Sequence, residues 1–556
     1  FSDIPGSPIA YWASEQLVKA FYTGEIIKEK GDTRQGMATS DNDRFLRLWF
    51  EVNTKNIGLN YSNSNDAKRS GKKWFPYNKG GSFRKWYGNR DYLINYKNDG
   101  EEVKNLASSK YQSFTRTIKS ISEYFKSSIS WSKVSSGSIA FRYYPEGHIF
   151  DVAGCSIFFE NEDEKIFSLG FLNSKVVHRL LEILSPTLNY EAGDIAKIPI
   201  IYDQVHIDNV NSFVEININL SQSDWDSYET SWDFEMHPLI EFQHGATKIA
   251  DAFANWEAEA DRRFQTLKAN EEELNRIFID LYGLQDELTP EVDDKDVTIR
   301  RADQLRDVKS FISYAVGLMF GRYSLDEPGL AYAGGEFDLS KYQTFIPDQD
   351  NVIPIATDVY FEDDIVNRLI TIIKTIFGPK HVEENLDYIA DTLVRRVDET
   401  SRQRVRRYFL KEFYRDHVQT YQNRPIYWLF DSGRQDGFKA LIYLHRYQPD
   451  LVAKVRTSYL HTQVKKYQDE ISRLDMILEA DVSKPEKTKA KKSKEVLQKQ
   501  IQECLNYDQV IAHVAHQTLD LDLDDGVKVN YAKFQNIEVP QGEGKKPLKA
   551  NVLAKL

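Results

Sequence analysis

The spacing of apolar positions changes character near residue 215. Before it, short apolar runs are separated by turns rich in Ser, Gly and Asn: SIAFRYYPEG, HIFDVAG and CSIFFENED read as strands and hairpins. Helices are predicted within this part at Tyr11–Tyr22, Asn105–Phe125 and Ser168–Leu184, the last with Pro186 just beyond its end. From Ile249 onward Phe253, Trp256, Ala260, Phe264 and Leu267 recur at spacings of three and four, and Leu274, Phe278 and Leu281 resume the pattern. That is one face of a long helix, with Gly283 as its stop. Residues 286–300 read as an acidic linker, and helical spacing returns over 301–321, 361–377, 383–396, 400–421 and 434–445. Tyr467, Ile471, Leu474 and Leu478, answered by Leu497, Ile501 and Cys504, predict an antiparallel hairpin whose tip, KPEKTKAKKSK, reads as charged and mobile. Residues 519–556 read as an irregular tail with one strand near Val527–Tyr531.

The expected fold class is therefore α+β: a β-rich mixed module followed by a mainly α-helical region with a long helix and a C-terminal helical hairpin. The corresponding division is 1–215, a spacer with linker at 216–300, a helical domain at 301–460, the hairpin at 461–518 and the tail at 519–556.

Composition narrows the class. At 41% hydrophobic and 28% charged residues, with no apolar run long enough to cross a bilayer, the chain reads as a soluble globular protein. Cys155 and Cys504 provide neither a disulfide framework nor a cysteine metal motif, which points to a reducing cytoplasm. The first residues, FSDIPGSPIAYW, lack the features of a signal peptide, and the opening Phe suggests a fragment or trimmed product. Net charge is -12, yet residues 51–150 hold 17 Lys and Arg against 8 Asp and Glu, a local balance of +9. Residues 201–556 hold 45 against 61, or -16. A basic module on an acidic body can still be steered to a polyanion.

Chemistry concentrates in Gly71–Arg90, GKKWFPYNKGGSFRKWYGNR, which mixes Lys72, Lys73, Lys79, Arg84, Lys85 and Arg90 with six aromatics and four glycines and has no acidic residue. Cations contact phosphates, rings stack or pack, and glycines allow close backbone approach. A turn-rich surface over buried rings is the plain alternative. Ile129–Phe159 adds Ser132, Lys133, Ser135, Ser136, Ser138 and Arg142, all donors to phosphate or base edges. Asp41 and Asn42 read as turn and cap residues. Neither a Gly-x-Ser-x-Gly elbow nor an HExxH helix is present, and Gly542–Lys546 lacks P-loop spacing. His513 and His516 are a lone pair without a third ligand. Asp348, Asp350 and Glu362–Asp364 are carboxylate-rich, the second group at a helix start, where acids favour the dipole. The lysines of the hairpin tip either touch phosphates or are simply solvated.

Taken together, GMATSDNDRFLRLWFEV, KWFPYNKGGSFRKWYGN, ISWSKVSSGSIAFRYYPEGHIFDVAGCSIFF and FLNSKVVHRLLEILSPTLNYEAGDIAKIPI resemble the C-terminal half of the adenine-specific DNA methyltransferases of BREX phage-defence systems, the PglX type. ANEEELNRIFIDLYGLQDELTPE, ISYAVGLMFGRYSLDEPGLAYAGG and RPIYWLFDSGRQDGFKALIYLHRY extend the resemblance over nearly the whole chain. It implies a target recognition domain over residues 1–215, with double-stranded DNA, the preceding methyltransferase domain of the same protein and other defence subunits as partners. No membrane contact is implied. S-adenosylmethionine belongs in that family to the preceding domain, whose Asn-Pro-Pro-Tyr-type motif grips the flipped adenine. This sequence has no Pro-Pro dipeptide, so the expectation is a chain without the catalytic half and without a cofactor of its own. On the resemblance, Lys72, Lys73, Lys79, Arg84, Lys85, Lys133 and Arg142 are expected on the DNA backbone, and Asn78, Ser135, Ser136 and Ser138 near base edges. Trp74, Trp86, Trp131 and Phe141 are expected in the core, with the cations facing outward. A protein-interaction scaffold with incidental DNA contact is the alternative reading.

Overall fold

Turn residues cut the apolar runs of the N-terminal half into strands of two to five residues, too short to be stable except as members of a sheet. A computed structural model of the protein describes residues 12–135, 137–185 and 187–556. Tyr11, Ser136 and Pro186, which enter the expectations above, lie outside the described residues. The strands are β1 (Gly31–Arg34), β2 (Leu46–Leu48), β3 (Trp74–Asn78), β4 (Tyr92–Asn95), β5 (Ser128–Trp131), β6 (Phe141–Tyr144), β7 (Ile149–Phe150) and β8 (Ser156–Phe159). They form one sheet of order β1-β8-β5-β6 and another of order β2-β4-β3-β7. Neighbours are antiparallel except β3 and β7.

These sheets belong to the first of two compact units, which comprises residues up to Trp49, Lys55–Asp233 and Glu257–Ala302. Its helices are α1 (Glu15–Thr23), α2 (Lys97–Tyr111), α3 (Glu162–Leu172), α4 (Lys175–Leu184), α5 (Ile207–Asp226) and, from Glu257 on, α6 (Ile249–Tyr282). Trp131 and Phe141 pack with Phe167, Leu180, Val214 and Phe278 from α3 to α6. Phe75, Tyr77 and Ile94 pack with Val103 and Ala107 of α2. The helix expected over Asn105–Phe125 stops at Tyr111, where Gln112 turns left-handed and two 3-10 turns follow. Ser113 explains the stop: its hydroxyl accepts from the Thr115 amide and so competes with helix bonding. The single helix expected over Ser168–Leu184 is two, α3 and α4, because the Asn173 side chain leaves the helix path to bond both backbone groups of Phe141. The long helix ends at the left-handed Gly283 (φ +67°), as its sequence indicates.

The second unit comprises Phe50–Thr54, Phe234–Trp256 and Asp303–Leu556. It holds α7 (Gln304–Phe320), α8 (Ile365–Phe377), α9 (Val382–Thr392), α10 (Ser401–Lys411) and α11 (Phe413–Thr420), and a sheet of order β9-β11-β10 formed by β9 (Ile353–Pro354), β10 (Tyr427–Asp431) and β11 (Lys439–Tyr443). The helix expected over 434–445 is thus largely β11. Its run Ala440–Tyr443 is buried throughout in a central strand, and a short, wholly apolar run does not separate strand from helix by period. The hairpin is present as α12 (His461–Glu479) and α13 (Lys484–Gln517). Its KPEKTKAKKSK segment is helical rather than a loose tip: Ser483 and Glu486 form a reciprocal cap, and the turn is confined to Ala480–Ser483. The strand expected at Val527–Tyr531 is a helix, α14 (Gly526–Ala532), which buries Val527, Asn530 and Tyr531 on one face. A short hairpin, β12 (Ile537–Val539) with β13 (Leu548–Ala550), follows. The chain is thus a mixed α+β region followed by long helices and a C-terminal helical hairpin. Among the described residues no helix is long and apolar enough to cross a membrane.

Candidate functional site

Gly71–Arg90 contributes strand β3, buried at every residue, and then a loop that is exposed at Gly81–Phe83 and buried again over Arg84–Arg90. The loop depends on unusual backbone: Gly80, Gly81 and Gly88 have positive φ, and so do Trp86 (+67°) and Asn89 (+56°). A bulky residue in that region costs about 1–3 kcal/mol and persists only where its surroundings over-determine it. Trp86 is fully buried, and its Nε1 donates to Glu271 Oε1 at 2.7 Å.

The cations of the second half of the stretch serve the same end. Arg84 Nη2 donates to Asp224 Oδ2 at 2.6 Å and its Nε to the Tyr87 carbonyl at 2.8 Å. Arg300 reaches the same Asp224 carboxylate, at 3.1–3.3 Å. Lys85 Nζ donates to Glu271 Oε2 at 2.6 Å. Arg90 lies over the rings of Tyr87 and Trp232 and pairs with Asp233 at 3.0 Å. Arg142 is wholly buried, with its guanidinium donating to the Arg84 carbonyl and to Ser132 Oγ. Burial lowers the Arg84 and Arg142 pKa values. Burial alone would raise Asp224, but Arg300 and Arg84 hold it below the ordinary carboxylate range.

The outward orientation expected of the cations therefore fails at Arg84, Lys85 and Arg142. The physical reason lies far along the chain: Asp224 on α5 and Glu271 on α6 stand 140 and 186 residues after their partners. Asn78 also faces inward, donating to Ser130 Oγ at 2.5 Å while accepting from the Gly80 amide. Trp74, Trp86, Trp131 and Phe141 are in the core as expected.

Two loop tips remain exposed, and one hydroxyl joins them. Ser132 Oγ accepts from the Gly81 amide at 3.0 Å and bonds the Gly81 carbonyl at 2.9 Å. On one side lie exposed Gly81, Ser82 and Phe83. On the other lie Val134, 69% exposed, with Gly137 and Ser138. The second loop is fastened to Leu188–Tyr190, with the Ser135 amide donating to the Leu188 carbonyl at 3.1 Å and the Tyr190 amide to the Lys133 carbonyl at 2.7 Å. Ser135 Oγ closes the turn by bonding the Ser138 carbonyl and accepting from Gly137. Lys79 and Lys133 retain about a quarter of their side-chain surface, 27% and 26%, and pair with Asp151 at 3.2 Å and Glu191 at 2.8 Å. Lys72 donates to the Lys55 carbonyl, and Lys73 lies over the Trp74 ring. Beside the second loop is a cavity of about 580 Å³ lined in part by Ser138, Ile139, His178, Leu181 and Leu188. Burial brings the His178 pKa down to about 4, so the ring is neutral there. Exposed Val134 and Leu188 are features that sequence reading missed, because burial on the loop side of a short strand carries no periodic signal.

Of the other candidates, Asp41 and Asp364 are helix N-caps, Asp364 also pairing with Arg406 at 2.6 Å. Asp348, Asp350 and Asp363 gather near Tyr459, whose hydroxyl is 3.0–3.1 Å from Asp350 and 3.0 Å from Asp363. Among the described residues no group of three His, Cys, Asp or Glu side chains is arranged to hold a metal ion.

No family model matches the chain. Two curated proteins are similar to it over nearly its whole length. The adenine-specific methyltransferase PglX of Lacticaseibacillus casei (strain Zhang) is 46% identical over 546 residues, 96% of this chain and 45% of that protein. The adenine-specific methyltransferase BrxX of Escherichia coli O9:H4 (strain HS) is 35% identical over 572 residues, 97% of this chain and 45% of that protein. The chain thus spans under half the length of these relatives.

Proposed function

We propose that this chain is the DNA-recognition portion of a site-specific adenine-N6 DNA methyltransferase in a bacterial BREX phage-defence system. The observation that carries the reading is its similarity, over 96% of its length, to a protein named as an adenine-specific methyltransferase. On this reading residues 1–215 are the target recognition domain, 216–300 its helical spacer and acidic linker, and 301–460, 461–518 and 519–556 a helical domain, hairpin and tail that face other defence subunits. Methyl transfer belongs to a domain outside this sequence. The residues present do not fit S-adenosylmethionine, since no Pro-Pro dipeptide and no glycine fingerprint after a strand occurs.

The joined tips Gly81–Phe83 and Val134–Ser138 are the parts of the basic module that meet the duplex. Lys79 and Lys133 take phosphates, with Lys72 and Lys73 as further backbone contacts, while Ser135 and Ser138 lie nearest base edges. The Lys133–Glu191 pair is partly exposed and worth about 0–1 kcal/mol, so Lys133 can exchange Glu191 for phosphate at little cost. Asp151 is buried, and when Lys79 turns to phosphate it keeps the hydrogen bonds from the Tyr77 hydroxyl and the Ala153 amide. Arg84, Lys85, Arg142 and Asn78 act from behind, by fixing the loop that carries the first tip.

Selection of bound sequences from a random duplex pool tests the reading. Enrichment of one short motif containing adenine is expected, and a bound pool indistinguishable from the input overturns it.

A further inference from the structure

The start of α13 concentrates charge that nothing in the fold uses. Lys484–Lys494 contains six lysines and one acid, Glu486, a local excess of +5 within a region of net -16. Glu486 is occupied in the cap, with its carboxylate accepting from the Ser483 amide at 2.9 Å. Lys494 pairs with Asp475 of α12. The ammonium groups of Lys484, Lys487, Lys489, Lys491 and Lys492 have no ion pair or hydrogen bond among the described residues, and all but half-buried Lys487 are exposed. Like charges held this close repel one another, and a helix N-terminus adds positive potential to theirs. The arrangement is tolerated because the other face of the helix is anchored, through buried Ala490, Leu497 and Cys504.

We infer that this lysine-studded end of the α12–α13 hairpin is a second, sequence-independent site for the phosphate backbone of duplex DNA. This role rests on the proposed DNA-recognition function and extends it to a surface far along the chain from the recognition loops. Charge complementarity selects a polyanion. The composition then selects among polyanions. Between Tyr467 and Tyr507 the hairpin has no aromatic residue. Protein-binding surfaces are enriched in Tyr, Trp and Arg and depleted in Lys, so an acidic protein is disfavoured. A lipid surface calls for a large apolar wedge among the cations, and the exposed apolar side chains of this part of the hairpin, Met476 and Val496, lie outside the lysine run Lys484–Lys494. Lysines at positions 484, 487 and 491 follow the axis at intervals of about 4.5 and 6 Å, against one charge per about 3.4 Å along a DNA strand. Point charges on long stems suit that backbone without reading bases.

The test is duplex binding by the whole chain as a function of salt, for the wild type and for Lys484→Gln/Lys487→Gln/Lys491→Gln/Lys492→Gln, on random-sequence and selected duplexes. Glutamine keeps helix propensity, and far-ultraviolet circular dichroism checks that the hairpin is retained. Each lysine–phosphate pairing removed lowers the slope of log K against log salt by about 0.9, so a fall of about two to four units is expected, equal on both duplexes. A version with glutamate at the same four positions should bind more weakly still. An unchanged slope in a wild type that does bind DNA overturns the hairpin inference alone. No duplex binding at any salt overturns both this inference and the reading it rests on. If the four substitutions instead abolish binding to poly-glutamate or to anionic vesicles and leave DNA binding intact, the surface serves an acidic protein or a lipid headgroup, and the inference is wrong.

Discussion

Arg84 and Asp224, 140 residues apart in sequence, form a buried ion pair at 2.6 Å. The pair ties the loop after β3 to α5, and Arg300 closes it from the far side. A buried pair adds little compared with a well-packed apolar core, yet removing one partner strands the other charge and costs about 3–5 kcal/mol. Asp224→Ala should therefore lose stability of that order in urea unfolding, because it strands two guanidinium groups.

The same pair fixes an acid limit. Asp224 is held below the ordinary carboxylate range in the folded state. Its contribution is complete above the unfolded-state value and is lost as pH falls through the folded-state value. Stability measured by urea titration should drop as pH falls below about 4, the ordinary carboxylate value, and Asp224→Asn should give a flatter acid limb.

Glu271 serves two donors, with Oε2 on Lys85 and Oε1 on Trp86. Glu271→Gln preserves an acceptor for one of them, whereas Glu271→Ala strands both. The alanine variant should be the less stable by about 1–3 kcal/mol, and its tryptophan emission should shift further toward that of the unfolded chain.

At Gly88, φ is +129° and an added Cβ would lie 2.4 Å from Arg84 Nε and 2.9 Å from the Trp225 ring. Arg84 is pinned by Asp224 and cannot give way. Gly88→Ala should cost about 1–3 kcal/mol and weaken duplex binding through the misplaced tip, whereas Gly71→Ala, with open space around it, should show only the backbone cost of its positive φ.

Much of this molecule was legible in its sequence where one period ran long enough. The α6 face from Phe253 to Leu281, its Gly283 stop and the α12–α13 hairpin follow directly from spacing. Short apolar runs were not legible: Ala440–Tyr443 and Val527–Tyr531 fit either element, and tertiary burial made the first a strand and the second a helix. In the candidate site, the inward rings were foreseeable, since Trp74 opens the run Trp74–Tyr77 and Trp131 alternates with serines as a strand residue does. The inward cations were not. A basic stretch without local acids looks exposed, and only the fold brings Asp224 and Glu271 to Arg84 and Lys85. The Ser132 link between the two tips is likewise invisible, because Gly81 lies 51 residues away.

In the second unit burial, and then the neighbouring Asp350 charge, push the Asp348 carboxyl up to about 7, with Asp363 adding to the shift and Arg368 opposing it. The folded state thus keeps a proton that the unfolded chain has already released, so stability falls as pH rises toward that value. The second unit should lose stability as pH rises from about 5 to about 7 and level off above that, read as a lower melting temperature. Asp348→Asn, which can still accept from the Asp350 and Val352 amides, should flatten the profile.

On the proposed function, the joined tips and their flanking lysines, Lys79 and Lys133, meet the DNA backbone. The most direct test of this contact is duplex binding across a salt series by the wild-type chain and by Lys79→Ala/Lys133→Ala. Weaker binding on every sequence is expected, with a slope of log K against log salt reduced by about one to two units in a variant whose far-ultraviolet circular dichroism matches the wild type. A double variant that binds with the wild-type slope and affinity would contradict it.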